Sequence, residues 1–243
     1  SWIDTRWRSA RHLTTEVLVN DGDGGTAPSM APQSDSCIAI VLAAGEGTRM
    51  RSSVPKVLHT ILGRSLIRHV LTATETLRAT KRIVVVGAGS ELVVQEITEY
   101  DAEVTTVLQE RRGGTGHAVR LALESNPIFN DSIVVVVAGD VPLITGETLQ
   151  LLAKACQNSE VGAAVLTADV DDPSGYGRVI RDHENGILKI VEDRDATEDE
   201  REVHEVNSSV YAFQAGLLKT ALAELTTNNA QGEEYLTDAI EII

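Results

Sequence analysis

The chain has 243 residues, of which 42% are hydrophobic but only 3% aromatic, and it carries a formal net charge of −15. This length suits one large domain or two small ones, and the core must be built from aliphatic side chains. A surface this acidic repels phosphate backbones, so nucleic acid is excluded as an expected partner. No apolar run approaches the roughly 20 residues of a membrane span, and no apolar signal sequence is present, so we predict a cytoplasmic protein without membrane contact.

Residues 1–36 differ in composition from the rest of the chain. They combine Arg6, Arg8 and Arg11 with a run of glycine and aspartate at 21–25. No hydrophobic period of 2 or 3.6 residues is sustained here, which predicts a disordered leader. The alternative is that this segment is an artefact of cloning or of the assigned open reading frame.

From Cys37 onward, short apolar strands alternate with helical patterns. Strands are predicted where apolar residues are continuous, and helices where apolar residues recur every three or four positions. Strands that are apolar on both faces are typical of a parallel sheet covered by helices on each side, so we predict an α/β, doubly wound sheet. The predicted strands are 38–42, 82–86, 133–138, 161–170, 177–181, 187–191 and 206–213, and the predicted helices are 66–77, 92–97, 118–122, 217–225 and 234–243.

A glycine-rich loop follows the first of these strands. Gly45 and Gly47 let the backbone turn sharply, and their amides at the carboxyl end of a parallel strand form a concavity that suits phosphate oxygens. Arg49 and Lys56 bring two cations to this concavity, so we predict a nucleotide-binding loop. A surface turn with exposed cations is the alternative interpretation.

Asp140 follows the predicted strand 133–138, at the edge where ligands bind in open α/β sheets. Mg²⁺ prefers a carboxylate together with substrate phosphates and water, so a single aspartate is a plausible anchor for this ion. A simple turn residue before Pro142 is the alternative.

Seven short motifs follow one another along the chain: LAAGEGTRM at 42–50, PKVLHTILGR at 55–64, LQ at 108–109, GTGHA at 114–118, AGDVPL at 138–143, DPSGYGR at 172–178 and NNAQ at 228–231. Together they resemble the N-acetylglucosamine-1-phosphate uridylyltransferases, a bifunctional bacterial family. The resemblance covers about residues 38–243. It implies a Rossmann-like, doubly wound mixed sheet of the nucleotide-diphospho-sugar transferase type. It also implies a Mg²⁺-dependent nucleotidyltransferase that joins UTP and N-acetylglucosamine 1-phosphate into UDP-N-acetylglucosamine and pyrophosphate, for peptidoglycan synthesis and cell wall biogenesis.

The resemblance also implies a domain organisation. A nucleotidyltransferase domain is expected over 37–243, C-terminally incomplete, because the helical pattern at 234–243 stops without a C-cap. The second metal-binding residue of the family, an asparagine, is expected beyond Ile243. The family's β-helix acetyltransferase domain, through which full-length members are expected to form homotrimers, is absent from this sequence.

The resemblance assigns roles to residues at matching positions. The nucleotide-binding residues are Leu42, Ala43, Ala44, Gly45, Lys56, Gln109, Gly114 and Thr115, with Gln109 on the uracil edge. The sugar-binding residues are Ala138, Gly139, Asp140, Gly177, Glu192 and Asn207. Arg49, Lys56 and Asp140 are the catalytic residues, and Asp140 is the metal ligand.

Three positions depart from the family pattern. Ala138 stands where a larger residue such as tyrosine is expected, so a side-chain contact is lost there. Gly113 replaces an apolar residue before GTGHA, which predicts a looser loop. Asn207-Ser208-Ser209 replaces Asn-Thr-Gly or Asn-x-Gly, which predicts a reshaped sugar pocket.

Alternatives remain open at this point. His117 could be a general base, although a positioning role is favoured because an ionised phosphate needs no strong base. The run VGAG at 86–89 resembles part of a dinucleotide-binding motif, but a strand–helix turn is favoured because the third glycine is missing. Two competing functions remain. One is a nucleotidyltransferase that uses dTTP and glucose 1-phosphate, and the other is a non-catalytic module with the same fold.

Overall fold

One mixed sheet of nine strands organises the part of the chain that the computed structural model describes, residues 36–45, 52, 54–158 and 160–243 together with the backbone of 10–19. The strands are β1 (Ala10–Val19), β2 (Cys37–Ala43), β3 (Thr60–Ile61), β4 (Arg64–Ser65), β5 (Lys81–Gly87), β6 (Thr105–Gln109), β7 (Ile133–Ala138), β8 (Val161–Val170), β9 (Arg178–Arg181), β10 (Ile187–Val191) and β11 (Glu205–Gln214). The α-helices are α1 (Leu66–Glu75), α2 (Glu91–Tyr100), α3 (Gly114–Glu124), α4 (Gly146–Ala155), α5 (Glu198–Arg201), α6 (Ala215–Glu224) and α7 (Asp238–Ile242).

The strand order is β1-β8-β11-β7-β2-β5-β6, with β9 paired to β11 and β10 paired to β9, while β3 and β4 form a separate hairpin. Strands β7, β2, β5 and β6 run parallel to one another. Strand β11 is antiparallel to both of its neighbours, β7 and β8. The predicted doubly wound mixed sheet is therefore confirmed.

Two hydrophobic layers cover the two faces of the sheet. Alternate residues of each central strand point to opposite faces, so Val134 and Val136 of β7 join one layer while Val135 and Val137 join the other. Helices α3, α6 and α7 cover the first face, and α1, α2 and α4 cover the second. Burial on both faces explains why these strands are continuous apolar runs in the sequence.

The backbone of β1 pairs with β8, from Ala10 opposite Val170 to Val19 opposite Val161. This differs from the disordered leader expected for residues 1–36. Residues 13–19, LTTEVLV, are rich in β-branched side chains, and β8 would otherwise present an unpaired edge. Residues 1–9 and 20–35 lie outside the described part of the chain.

The last helix begins later than predicted, at Asp238 instead of residue 234. The backbone groups of Glu234 and Leu236 bond instead to residues at the start of α3, which prevents a helical hydrogen-bond pattern here. None of the helices in the described residues is long and apolar enough to span a bilayer.

Candidate active site

The parallel strands β2, β5, β6 and β7 all end at the same edge of the sheet. There the amide of Gly139 donates to the carbonyl oxygen of Leu42 over 2.8 Å, which extends the contact with β2 one residue past the end of β7. A Cβ atom at Gly139 would lie only 3.0 Å from the Leu42 carbonyl oxygen, so a glycine suits this close approach. The start of the glycine-rich loop, Ala44 and Gly45, therefore lies beside the segment that carries Asp140.

Lys56 and Asp140 form an ion pair at this edge, although 84 residues separate them in sequence. The side chains are 32% and 26% exposed, so both remain accessible to a ligand. Lys56 opens a short 3-10 helix, Lys56–Leu58, whose Val57 is buried in the core beneath the edge. The structure thus brings two of the three predicted catalytic residues together, while Arg49 lies outside the described residues.

Gln109, the last residue of β6, is buried, with only 6% of its surface exposed. Its Nε2 atom donates to the carbonyl oxygen of Gly114 at 3.0 Å and lies 2.9 Å from Nδ1 of His117. Burial lowers the pKa of His117, so the imidazole is neutral and its Nδ1 can accept this hydrogen bond. His117 therefore orients Gln109, which supports a positioning role over that of a general base.

The turn before α3 is closely packed. A Cβ atom at Gly113 would overlap the imidazole of His117, and one at Gly114, where φ is +94°, would overlap the carbonyl oxygen of Glu234. Gly113 thus leaves the space that His117 fills, and the structure contradicts the expected looser loop. Thr115 is exposed, and its Oγ1 accepts from the amide of Leu236 over 2.9 Å.

Of the predicted sugar-binding residues, Ala138, Gly139 and Asp140 lie at the end of the parallel strand β7, whereas Gly177, Glu192 and Asn207 lie on the antiparallel side of the sheet. The amide of Asn207 donates to the carbonyl oxygen of Gly177 over 2.9 Å, which holds these two residues together. Glu192 follows β10, and its Oε1 accepts from Oγ1 of Thr237 at 3.1 Å. The residues that line a small open cavity at this position are Gly175, Glu192, Asp193, Arg194, Gln231 and Tyr235.

Glu192 and Asp193 share the lining of this cavity with the cation Arg194. Burial raises the pKa of Glu192, and the carboxylates of Asp238 and Asp195 raise it further. Burial and the neighbouring Asp195 raise the pKa of Tyr235 to about 12, so its hydroxyl remains protonated. Such a cavity offers hydrogen-bond acceptors and a phenol to a neutral polyhydroxylated ligand.

Ser209 has a left-handed backbone, with φ of +63°, at the position where the family pattern has glycine. The pairing of β11 with β8 shifts its register between Asn207 and Tyr211, so Ser209 lies in a bulge. Val210 pairs with Val137, and Ser209 therefore stands beside Ala138 at the edge of the sheet. The bulge therefore lies where β11 runs beside β7, the strand that leads to Asp140.

A family model described as "MobA-like NTP transferase domain" matches residues 39–230, more than three quarters of the chain. The chain belongs to this family. The family's nucleotide chemistry agrees with the cluster of polar groups at the carboxyl edge of the parallel strands.

Similar proteins have been described in several bacteria. The "Bifunctional protein GlmU" of Streptomyces coelicolor is 49% identical over 205 residues, which cover 84% of this chain and 42% of that protein. The protein of the same name from Bifidobacterium longum subsp. infantis is 49% identical over 207 residues, which cover 84% of this chain and 45% of that protein. The chain thus spans less than half the length of these relatives. The predicted relationship to a bifunctional bacterial family is confirmed.

A crystal structure of UDP-glucose pyrophosphorylase complexed with UDP-glucose has a similar fold. It matches with a TM-score of 0.67 and 17% identity, over 85% of this chain and 86% of that one. At this identity the likeness shows the fold alone, and it confirms the predicted nucleotide-sugar transferase type of sheet.

Several residues of this NTP transferase domain were missed by the sequence analysis. Tyr235 and Gln231 line the cavity beside Glu192, and Thr237 bonds to Glu192. Arg178 is buried, and its guanidinium donates to the carbonyl oxygen of Tyr176 and, over 3.0 Å, to Oδ1 of Asp193. The motif NNAQ ends at Gln231 and the motif DPSGYGR ends at Arg178, so these two motifs were the sequence signal that could have identified these residues.

Proposed function

We propose that the chain transfers the uridylyl group of UTP to N-acetylglucosamine 1-phosphate and releases pyrophosphate, in the cytoplasm. The observation that carries the proposal is the contact between Lys56 and Asp140 at the strand edge where Gln109 also lies. A cation, a carboxylate that can bind a metal and a base-reading amide are the groups that nucleotide transfer needs. The identity of the curated relatives over 84% of the chain supports the choice of this reaction.

Recognition of the base is assigned to Gln109. Its Nε2 atom is engaged by Gly114 and His117, so Oε1 is the atom left to accept a hydrogen bond from a ligand. Uracil offers a donor at N3, whereas cytosine has an acceptor there, so this arrangement favours uracil. Thymine presents the same N3 donor, which makes dTTP the comparison to test.

Mg²⁺ is the proposed cofactor, and the residues present fit it. The carboxylate of Asp140 is partly exposed, and the described residues contain no group of three or more histidine, cysteine or acidic side chains placed to hold a metal. A single carboxylate suits Mg²⁺, which completes its shell with substrate phosphates and water. When bound, Mg²⁺ would neutralise phosphate charge on both substrates.

The residues of the chain would act mainly by positioning and charge neutralisation. A phosphate oxygen of the sugar phosphate attacks the α-phosphorus of UTP, and pyrophosphate leaves in line. Lys56 offsets the negative charge that builds on the phosphates, while Glu192 and Asn207 hold the sugar. The nucleophile is already ionised, so no general base is required, in agreement with a neutral His117 that is engaged with Gln109.

Thermal-shift measurements with Mg²⁺ test the proposal against its competitors. Bound ligand stabilises the folded state, by about 2.7 kcal/mol at a concentration 100 times Kd. We expect the largest shift with UDP-N-acetylglucosamine, a clear shift with UTP, and smaller shifts with UDP-glucose and dTTP. A larger shift with dTTP than with UTP would favour a thymidylyltransferase, and the absence of any shift would favour a non-catalytic module.

A further inference from the structure

One irregular segment, 229–237, lies between α6 and α7. It contacts both the residues assigned to the nucleotide, which we call the nucleotide half of the site, and the residues assigned to the sugar, which we call the sugar half. We refer to residues 229–237 as the connecting segment. Its start is held in a tight turn, since Oδ1 of Asn229 accepts from the amides of Gln231 and Glu233, each at 3.2 Å. Nδ2 of Asn229 also donates to the carbonyl oxygen of Glu233 over 2.6 Å. The turn gives the following residues a defined starting point.

Glu234 and Leu236 of the connecting segment bond to the start of α3, the nucleotide half. The amide of Glu234 donates to the carbonyl oxygen of Gly113, and the amide of Gly116 donates back to the carbonyl oxygen of Glu234, both over 2.8 Å. The amide of Leu236 donates to Oγ1 of Thr115. These contacts surround Gly114 and Thr115, which are assigned to the nucleotide.

Tyr235 and Thr237 of the same segment contact the sugar half. Tyr235 lines the cavity, and its hydroxyl donates to Oδ2 of Asp195 over 3.2 Å. Thr237 donates to Glu192. Because both sets of bonds hold one short stretch of backbone, a shift of residues 234–237 displaces groups in both halves together.

Arg120 and Glu234 form a forked ion pair that attaches the segment to the body of α3. One guanidinium nitrogen of Arg120 lies 2.7 and 2.8 Å from the two carboxylate oxygens of Glu234, and Nε lies 3.2 Å from Oε2. The side chains are 31% and 19% exposed, so water screens this pair only in part. Such two-point pairs fix geometry as well as adding energy.

We propose that Arg120 and Glu234 are positioning residues that couple the two substrate sites, an inference that rests on the proposed function. The pair keeps the connecting segment in register with α3, so that a nucleotide at Gly114 and Thr115 also fixes Tyr235 and Thr237 for the sugar. A movement of the segment that the first ligand causes is then transmitted to the groups that meet the second ligand, so the second ligand binds more tightly. By linkage the effect is equal in both directions.

Titration calorimetry on the full chain can measure this coupling. The Kd of N-acetylglucosamine 1-phosphate is determined with Mg²⁺, in the absence and in the presence of saturating α,β-methylene-UTP, which binds but cannot react. We expect the nucleotide analogue to tighten sugar-phosphate binding at least about 5-fold in the unchanged chain. In Arg120→Met and in Glu234→Gln this factor should fall to within about 2-fold of unity.

Two further variants separate coupling from simple loss of stability. The double variant Arg120→Met/Glu234→Gln should lose no more coupling than either single variant, because both act through one pair. Arg181→Met removes a comparable forked pair with Glu205, whose two contacts are each 2.7 Å, and it should retain the coupling.

Four results would decide the inference. It is overturned by unchanged coupling in Arg120→Met, by additive losses in the double variant, or by an equal loss in Arg181→Met. Binding of both ligands to the unchanged chain without coupling also overturns it, but leaves the proposed function intact. Failure of the unchanged chain to bind the nucleotide analogue overturns the proposed function itself.

Discussion

In the nucleotide half of the site, the functional groups stand at the ends of neighbouring parallel strands, whereas in the sugar half they come from a β-hairpin, a bulged strand and the connecting segment. Asp140 follows β7 and Gln109 is the last residue of β6, and the backbone ladder of the sheet sets their spacing. In the sugar half, Glu192 accepts from Thr237, while the side chain of Asn207 donates to the hydroxyl of Tyr211 and accepts from the amide of Ser209.

This difference has a mechanical consequence. A strand ladder distributes its support over many backbone bonds, so a side-chain substitution in the nucleotide half removes one function and leaves the geometry unchanged. In the sugar half each side chain also supports its neighbours. Substitutions there should therefore change stability and sugar binding together.

The largest effect is expected for the ion pair at the strand edge. Asp140→Asn and Lys56→Ala should each lower turnover by about 10²–10³-fold, the usual cost of losing one electrostatic stabiliser. Thermal stability should change little, because both side chains are partly exposed. Pyrophosphate release at saturating Mg²⁺ is the measurement.

Asp131→Asn is the matched control, since Asp131 lies just before β7, at the end opposite Asp140. Its turnover should stay close to that of the unchanged chain. If Asp140→Asn also kept near-normal turnover, Asp140 would not be the metal ligand.

The next effect concerns the base. Gln109→Ala should weaken UTP binding by about 1–3 kcal/mol, because a polar group of the ligand loses its partner. Binding of pyrophosphate, which has no base, serves as the internal control and should hardly change. Equal losses for UTP and pyrophosphate in calorimetric titrations would show that Gln109 only supports the loop around Gly114.

In the sugar half, Glu192→Gln should weaken N-acetylglucosamine 1-phosphate binding about tenfold, the size of one hydrogen bond to a charged group. The affinity for UTP alone should be retained. Unlike the variants of the nucleotide half, this variant should also be more stable than the unchanged chain at pH 8.

The sign of the stability change follows from the raised pKa of Glu192. The folded protein holds the proton more tightly than the unfolded chain, so this contribution to stability is present at low pH and is lost as the pH rises through the folded-state pKa. Melting curves of the two proteins should therefore converge as the pH falls towards 4.5. A constant difference at all pH values would contradict this assignment, and Glu202→Gln, at an exposed position, is the control.

The smallest effect is expected at the bulge. Ser209→Gly should relieve the left-handed strain, which costs roughly 1–2 kcal/mol in a residue with a side chain. The greater freedom of glycine in the unfolded chain offsets about 0.4–1 kcal/mol of this gain. We expect a rise of the melting temperature by up to about 6 °C.

Ser208→Gly should have the opposite sign, because Oγ of Ser208 donates to the carbonyl oxygen of Leu166 over 2.6 Å. Destabilisation by Ser209→Gly as well would show that the side chain of Ser209, and not its backbone, determines the bulge.

The contrast between the two halves also explains what the sequence could predict. Continuous apolar runs identified β2, β5 and β7, and the position of Asp140 after β7 followed from the rule for strand ends. The sequence predicted only that Lys56 and Asp140 lie at the same edge of the sheet. It could not predict their ion pair, since hydrophobic periodicity carries no information on side-chain partners.

The connecting segment could not be predicted in this way. The pattern at 234–243 fits a helix, but tertiary bonds from Glu234 and Leu236 to the start of α3 outweigh the local preference. Helix α4 was also missed, although Thr145 caps its start by accepting from the amide of Thr148. The buried Leu149 and Leu152 are too few to form a clear apolar period.

We propose that this NTP transferase domain uses UTP and N-acetylglucosamine 1-phosphate. Initial rates of pyrophosphate release, measured with UTP or dTTP against N-acetylglucosamine 1-phosphate or glucose 1-phosphate, test it most directly. We predict the highest kcat/KM for UTP with N-acetylglucosamine 1-phosphate, and a fall of about 10²-fold or more in Asp140→Asn with that pair. A higher kcat/KM for dTTP with glucose 1-phosphate, or Mg²⁺-independent release that Asp140→Asn leaves unchanged, would contradict the account.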